Sequence, residues 1–415
     1  MNAFRGSIVL FLFFCFTACV EITQPYDKIP PGIWRAELTV DKDVQLPFNF
    51  ESSYDENNNL SINILNGSEK IPVSEISFGR TKDLRDTIVM TFPLMDSYIS
   101  ATYKENVLEG VWHVNYRGDY DVPFVAFHGQ AHRFSTDKIT PEIDLNGKWE
   151  ATFEVETETA YPAIGEFEQN ENKLLGTFLT ETGDYRYLEG TVQGQNMYLS
   201  CFDGGHAFLF TAKADQSSNL AGAFYSGKHY KTNWIARKND NAVLEDPYNL
   251  SQITTPDRRI NFELKNTDEE TVTLSDPSLE GKAKLITIMG TWCPNCLDES
   301  KFLLEYLEAH PDLPVEIIAL AFEKYRDEEK AMATIKNYKE RLNVPYPILY
   351  AGYYDKAEAT SQLGFIDKIL SYPTLLFVDQ DNVVKRVHTG FNGPATSKYE
   401  AFKQEFEESI ELILP

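Results

Sequence analysis

Cysteine is scarce in this chain of 415 residues: Cys15, Cys19, Cys201, Cys293 and Cys296 are all there are. Five are too few for a disulfide framework of this size, so whatever they do must be local. Positive charge is scarce as well, with 38 Lys and Arg against 63 Asp and Glu, a net charge of −25. A surface that negative repels phosphate backbones and excludes nucleic acid as a partner. Long apolar runs are missing: residues 8–16 give nine in a row, where a membrane-crossing helix needs about 20. No second cysteine pair or neighbouring histidine pair completes a four-ligand zinc set, so neither a metal nor another cofactor is expected. What is present is 42% hydrophobic and 13% aromatic residues, enough for two to four ordinary domains.

The amino terminus sets the compartment. Arg5 followed by the short apolar run fits a secretory signal over residues 1–18. Phe16-Thr17-Ala18-Cys19 resembles the lipobox of bacterial lipoproteins, which implies lipidation at Cys19 and a protein held on a membrane of the cell envelope, facing the periplasm or the cell surface. Plain cleavage near Ala18, leaving a free thiol, is the alternative. Residues 19–31 carry three prolines without periodicity and read as a tether.

From residue 32 to about 240 the pattern is all-β. Turn residues recur about every ten positions between alternating, aromatic-rich segments, as sandwiches and barrels require. Gly32-Ile33-Trp34 and Gly147-Lys148-Trp149 open two similar stretches, giving two barrel- or sandwich-like repeats, 32–140 and 141–240. The second has eight candidate strands in succession, the number that closes a small up-and-down barrel. Such a barrel holds a small apolar ligand or is filled by its own side chains. Cys201 reads as a buried strand residue that with His206 offers two metal ligands across a turn and not a site, and His128 and His132 read as packing or surface residues. A polar linker at 241–256 then gives way to alternating strands and helices over 257–415, an α/β domain, with its last helix expected at 396–414.

The chemistry lies where the strand KLITIMG runs into Trp292-Cys293-Pro294-Asn295-Cys296 and a helix. Pro294 suits the first helical position. Cys293 then caps the helix, where unpaired N–H groups and the dipole stabilise a thiolate. Cys296 lies on the same face but deeper, placed to attack a sulfur carried by Cys293. A zinc site lacks ligands, and a structural disulfide would close too short a loop to stabilise much. Cys293 and Cys296 therefore read as a redox disulfide pair.

With Ser371-Tyr372-Pro373-Thr374 downstream, residues from about 258 to 415 resemble the TlpA-like thiol–disulfide oxidoreductases, redoxin relatives within the thioredoxin superfamily. The resemblance implies a cis Pro373 facing the cysteines, substrate contacts from Trp292, Tyr372 and Pro373, and Glu299 as proton acceptor for Cys296. It further implies envelope proteins with disulfides or thiols as partners and a membrane electron donor. The uncharged Pro294-Asn295 pair and the acids Asp298 and Glu299 point towards a reductase. The rival readings are a thiol peroxidase and a binding lipoprotein with an accessory redox domain.

Overall fold

The computed structural model describes residues 26–414. The signal segment, Cys15 and Cys19 lie outside the described residues, and among those described no helix is long and apolar enough to cross a membrane.

The chain builds a β-rich region of two barrel-like sheets followed by a thioredoxin-fold domain. The first sheet is a nine-stranded antiparallel meander from Gly32–Asp41 to Asp121–His128, in which the first strand pairs with the last. Its two edges, Glu69–Pro72 and Glu75–Arg80, share no ladder. The second sheet closes completely. Gly147–Phe153 pairs with both Tyr161–Asn170 and Tyr230–Lys238, and Tyr161–Asn170 pairs with Lys173–Thr180. Eight strands complete the ring, and the two-residue strand Gly183–Asp184 is added to its rim. Phe153, Phe178, Phe210, Phe224 and Trp234 stack through the middle of this barrel with ring centroids 4.5–6.1 Å apart. Aromatic side chains thus fill the interior that a ligand would need.

The two sheets interlock. Phe202, at the tip of the hairpin formed by Asn196–Phe202 and Ala207–Ala214, is wholly buried among Phe48, Phe92 and Trp112 of the first sheet. Gly204 follows with φ +91°, and a Cβ there would stand 2.5 Å from the Phe92 ring, so only glycine fits the turn. Trp112 Nε1 donates to Gly204 O at 3.2 Å, and Asn66 Nδ2 donates to Phe202 O at 2.8 Å. Phe202→Ala is expected to cost about 3–5 kcal/mol, because the socket cannot collapse around the missing ring. Chemical denaturation measures this, and a loss under about 1 kcal/mol would show that the plug is not a structural element.

In the third part, Ala283–Met289 is an interior strand of the seven-stranded sheet, buried along its whole length. It runs parallel to Val315–Glu323 and antiparallel to Thr374–Val378. Its near-continuous apolar sequence follows from having both faces covered. Helices α1 (Pro294–Ala309), α2 (Glu328–Leu342), α3 (Lys356–Leu363) and α4 (Tyr399–Glu411) surround the sheet. The last is shorter than its apolar spacing suggests. Ser397 N and Oγ bond the Glu166 carboxylate at 2.9 and 2.5 Å, which holds the chain out of the helix until Tyr399. At the other end Ile413 stays buried just past the helix, its N–H bonded to Ile410 O at 3.1 Å.

Candidate active site

Cys293 caps α1 with extended backbone angles (φ −99°, ψ 113°), and Pro294 takes the first helical position. Cys293 Sγ accepts the Cys296 N–H at 3.3 Å and donates to Tyr372 O at 3.2 Å. Both cysteines are free thiols. The Tyr372–Pro373 peptide bond is cis. Trp292 is fixed by its Nε1 donating to Phe322 O at 2.9 Å, with its ring edge-on to Tyr372. The structure therefore brings Trp292, Cys293, Cys296, Tyr372 and Pro373 together. Cys293 is not the open, solvent-facing thiol that its cap position suggests, since only 6% of its surface is exposed.

Glu299, one turn beyond Cys296, is almost completely buried rather than solvated. Thr287 Oγ1 donates to its Oε2 at 2.5 Å, and its Oε1 has no partner. Burial pushes this carboxyl up to about 8. Burial also raises the Cys296 thiol well above its ordinary value, with the neighbouring Cys293 adding to the effect. A carboxyl and a thiol that are both costly to ionise are matched for proton exchange with each other. The turn between that strand and Cys293 is anchored by a second buried acid. Glu323 accepts from Thr291 N at 3.0 Å and from Thr291 Oγ1 at 2.8 Å, and burial raises it to about 7.

Sequence reasoning missed the cations here. Lys324 Nζ lies 3.3 Å from the Tyr354 ring centroid and 3.9 Å from that of Trp292, and Tyr116 of the first sheet stands at 5.8 Å. Burial, with Arg117 nearby, lowers the amine to about 7, while Cys293 acts in the opposite direction. Lys356 at the start of α3 is likewise lowered by burial and opposed by Cys293. To the uncharged Pro294-Asn295 pair and the acids Asp298 and Glu299 that the sequence shows, the fold adds these two amines. The only local signal for Lys324 was its place after a buried strand. For Lys356 it was Asp355, which caps α3 by accepting from Ala357 N and Glu358 N.

The second β unit also reaches the site. Thr182 O accepts from Ser371 Oγ at 2.6 Å, and Asp184 O from Asn295 Nδ2 at 3.4 Å. Asp184 Oδ2 accepts from Gly393 N at 2.6 Å. Arg186, itself buried, pairs with Glu69 of the first sheet and Asp298 of α1 at 2.6 Å each, and with Asp203 at 3.6 Å. Cys201 is buried beneath this cluster. Among the described residues no group of His, Cys, Asp and Glu is arranged to hold a metal.

A redoxin family model matches residues 254–402. A thiol-disulfide oxidoreductase ResA from Halalkalibacterium halodurans is 27% identical over 161 residues, which cover 38% of this chain and 77% of that protein. One of the same name from Bacillus thuringiensis is 25% identical over 156 residues, covering 37% and 76%. A solved thioredoxin-family thiol:disulfide interchange protein from Chlorobium tepidum superposes with a TM-score of 0.30 and 20% identity, over 40% of this chain and 100% of its own.

Proposed function

We propose that residues 254–402, which a redoxin family model matches, form an oxidoreductase domain of the TlpA-like kind within the thioredoxin superfamily, and that its Cys293–Cys296 pair reduces disulfides in the cell envelope. The observation that carries the reading is the environment of Cys293 Sγ, which accepts a helix N-terminal N–H while sitting against the carbonyl of Tyr372. Cys293 attacks as thiolate, and the partner disulfide breaks to leave a mixed disulfide. Cys296 then loses its proton to Glu299 and displaces the remaining thiol. Lipidation at Cys19 would confine this chemistry to one face of a membrane, with electrons returned by a membrane donor.

The reducing direction rests on how weakly the reduced form is stabilised. Strong oxidants owe their potential to a well-stabilised thiolate. Here the dipeptide is uncharged, and burial lowers both nearby amines, Lys324 to about 7 and Lys356 below its ordinary value, so each is a weaker cation than a solvated lysine. The couple is expected nearer −270 than −120 mV. Lys324→Met should shift it about 30 mV further down, since 30 mV is about 1.4 kcal/mol for a two-electron couple. Equilibration against glutathione with thiol trapping reads both values. A wild-type value near −120 mV would reverse the direction, and rapid consumption of hydrogen peroxide would favour a peroxidase.

A further inference from the structure

On the premise that Cys293 exchanges disulfides, the structure assigns residues 182–186 of the second β unit as the element that sets substrate class. With this strap in place the site takes a small disulfide bearing carboxylates and excludes an extended polypeptide. A polypeptide reaching Cys293 has to lie along the face made by Pro294-Asn295, Ser371-Tyr372-Pro373 and residues 390–393. The strap already lies there, bonded to Ser371, Asn295 and Gly393. The fit leaves no slack. Gly183 has φ +132°, and a Cβ on it would stand 2.0 Å from Asn295 Nδ2 and 3.1 Å from Phe391 O. Arg186 pins the end of the strap to acids from both β units and from α1, and a buried pairing of that kind is strongly destabilised when one partner goes.

What remains open is a cavity of about 240 Å³ bounded by Cys293, Tyr372, Phe208, His206 and Lys356, below the roughly 300–1,000 Å³ of pockets for drug-sized ligands. Its charges decide the ligand. Arg186 is taken up by three carboxylates, and Asp184 Oδ2 by Gly393 N. His206 lies against Asp203. The Lys356 amine donates to the Leu370 carbonyl and, among the described residues, meets no carboxylate, so it is the cation that a ligand carboxylate would engage. Cys293 attacks one sulfur of the small disulfide, and one thiol leaves and takes a proton. Cys296 gives up its proton, attacks Cys293 and releases the second thiol. The two electrons leave the cysteine pair and are restored by an external dithiol.

The test uses the full chain with dithiothreitol as reductant and three disulfides: 3,3′-dithiodipropionate, the uncharged and size-matched hydroxyethyl disulfide, and insulin. The wild type should give kcat/KM for dithiodipropionate at least about tenfold above that for hydroxyethyl disulfide, and above insulin. Lys356→Gln should lower the ratio of dithiodipropionate to hydroxyethyl disulfide about tenfold, the loss of one charge-assisted bond. Gly183→Ala, which drives the strap off Asn295, should raise the ratio of insulin to dithiodipropionate by about the same factor. Asp184→Ala, which frees the strap from Gly393, should act in the same sense and serves if Gly183→Ala melts early. Insulin preferred by the wild type, or ratios unmoved in folded variants, would overturn the assignment. No turnover of any of the three would instead overturn disulfide exchange at Cys293.

Discussion

Cys296→Ser is expected to accumulate mixed disulfides through Cys293, whereas Cys293→Ser yields few, and each variant loses about 10³-fold or more in turnover. The asymmetry is built into the first turn of α1. Cys293 Sγ accepts the N–H of Cys296 at the start of the helix and borders the cavity that Lys356 also lines. Cys296 lies a turn deeper, and burial holds its thiol well above the ordinary value. Once Ser replaces Cys296, the covalent adduct has no internal nucleophile and waits for an outside thiol. Non-reducing gels followed by mass spectrometry of the adducts read the result and name the substrates. Because Cys293 is 6% exposed and shares its cavity with Thr182, Gly183 and Asp184, small-thiol adducts should outnumber protein adducts. Equal trapping by the two variants would reassign the attacking cysteine.

Glu299→Gln is expected to slow the resolving step by about 10²-fold at pH 8.5, the scale of a lost general base, while attack by Cys293 stays near its normal rate. With the carboxyl raised to about 8, the wild-type resolving step should itself accelerate as pH rises through that value. The Gln variant should lack this rise. Stability moves in the opposite direction. The folded carboxyl keeps its proton up to about 8, whereas an unfolded one releases it from its ordinary value of 4.5. Between these values the folded state binds more protons, so stability falls as pH increases. Glu323, raised to about 7, contributes with the same sign. Glu299→Gln should therefore be more stable than wild type at pH 8, by about 4 kcal/mol at 1.36 kcal/mol per pKa unit, with the gain shrinking towards pH 5. Stopped-flow quenching of mixed disulfides and urea melts at both pH values check the pair of effects. A variant with unchanged resolution and unchanged stability would return Glu299 to an inert role.

The parts that the sequence made readable are those coded by neighbours along the chain. Strand, cap, Pro294 and helix announce the redox pair within a dozen residues, and alternation with regular turns announces an eight-stranded ring. The strap was legible only as a turn, because Thr182-Gly183-Asp184 has ordinary turn composition and its partners Ser371 and Gly393 lie about two hundred residues away. Arg186 looked like any surface arginine, since its meeting with Asp298 spans 112 positions. Helix α3 is eight residues long, too short for its periodicity to stand out, and Lys356 was lost with it. Glu299 was found by resemblance. Its burial was not, because the acids around it suggested a wetted helix face while Thr287 and the central sheet enclose it.

The aromatic plug between the β units has a consequence for synthesis. The receptacle made by Phe48, Phe92 and Trp112 is complete once the first sheet has emerged, but Phe202 belongs to a later hairpin. Translation at about 5–20 residues per second leaves that receptacle vacant for roughly 4–15 seconds. A chain that stops between the two units keeps it vacant permanently, showing apolar rings that proteases and chaperones recognise. Native packing of the first half is thereby made conditional on arrival of the second, so truncated products mark themselves for removal before any redox chemistry is available to them.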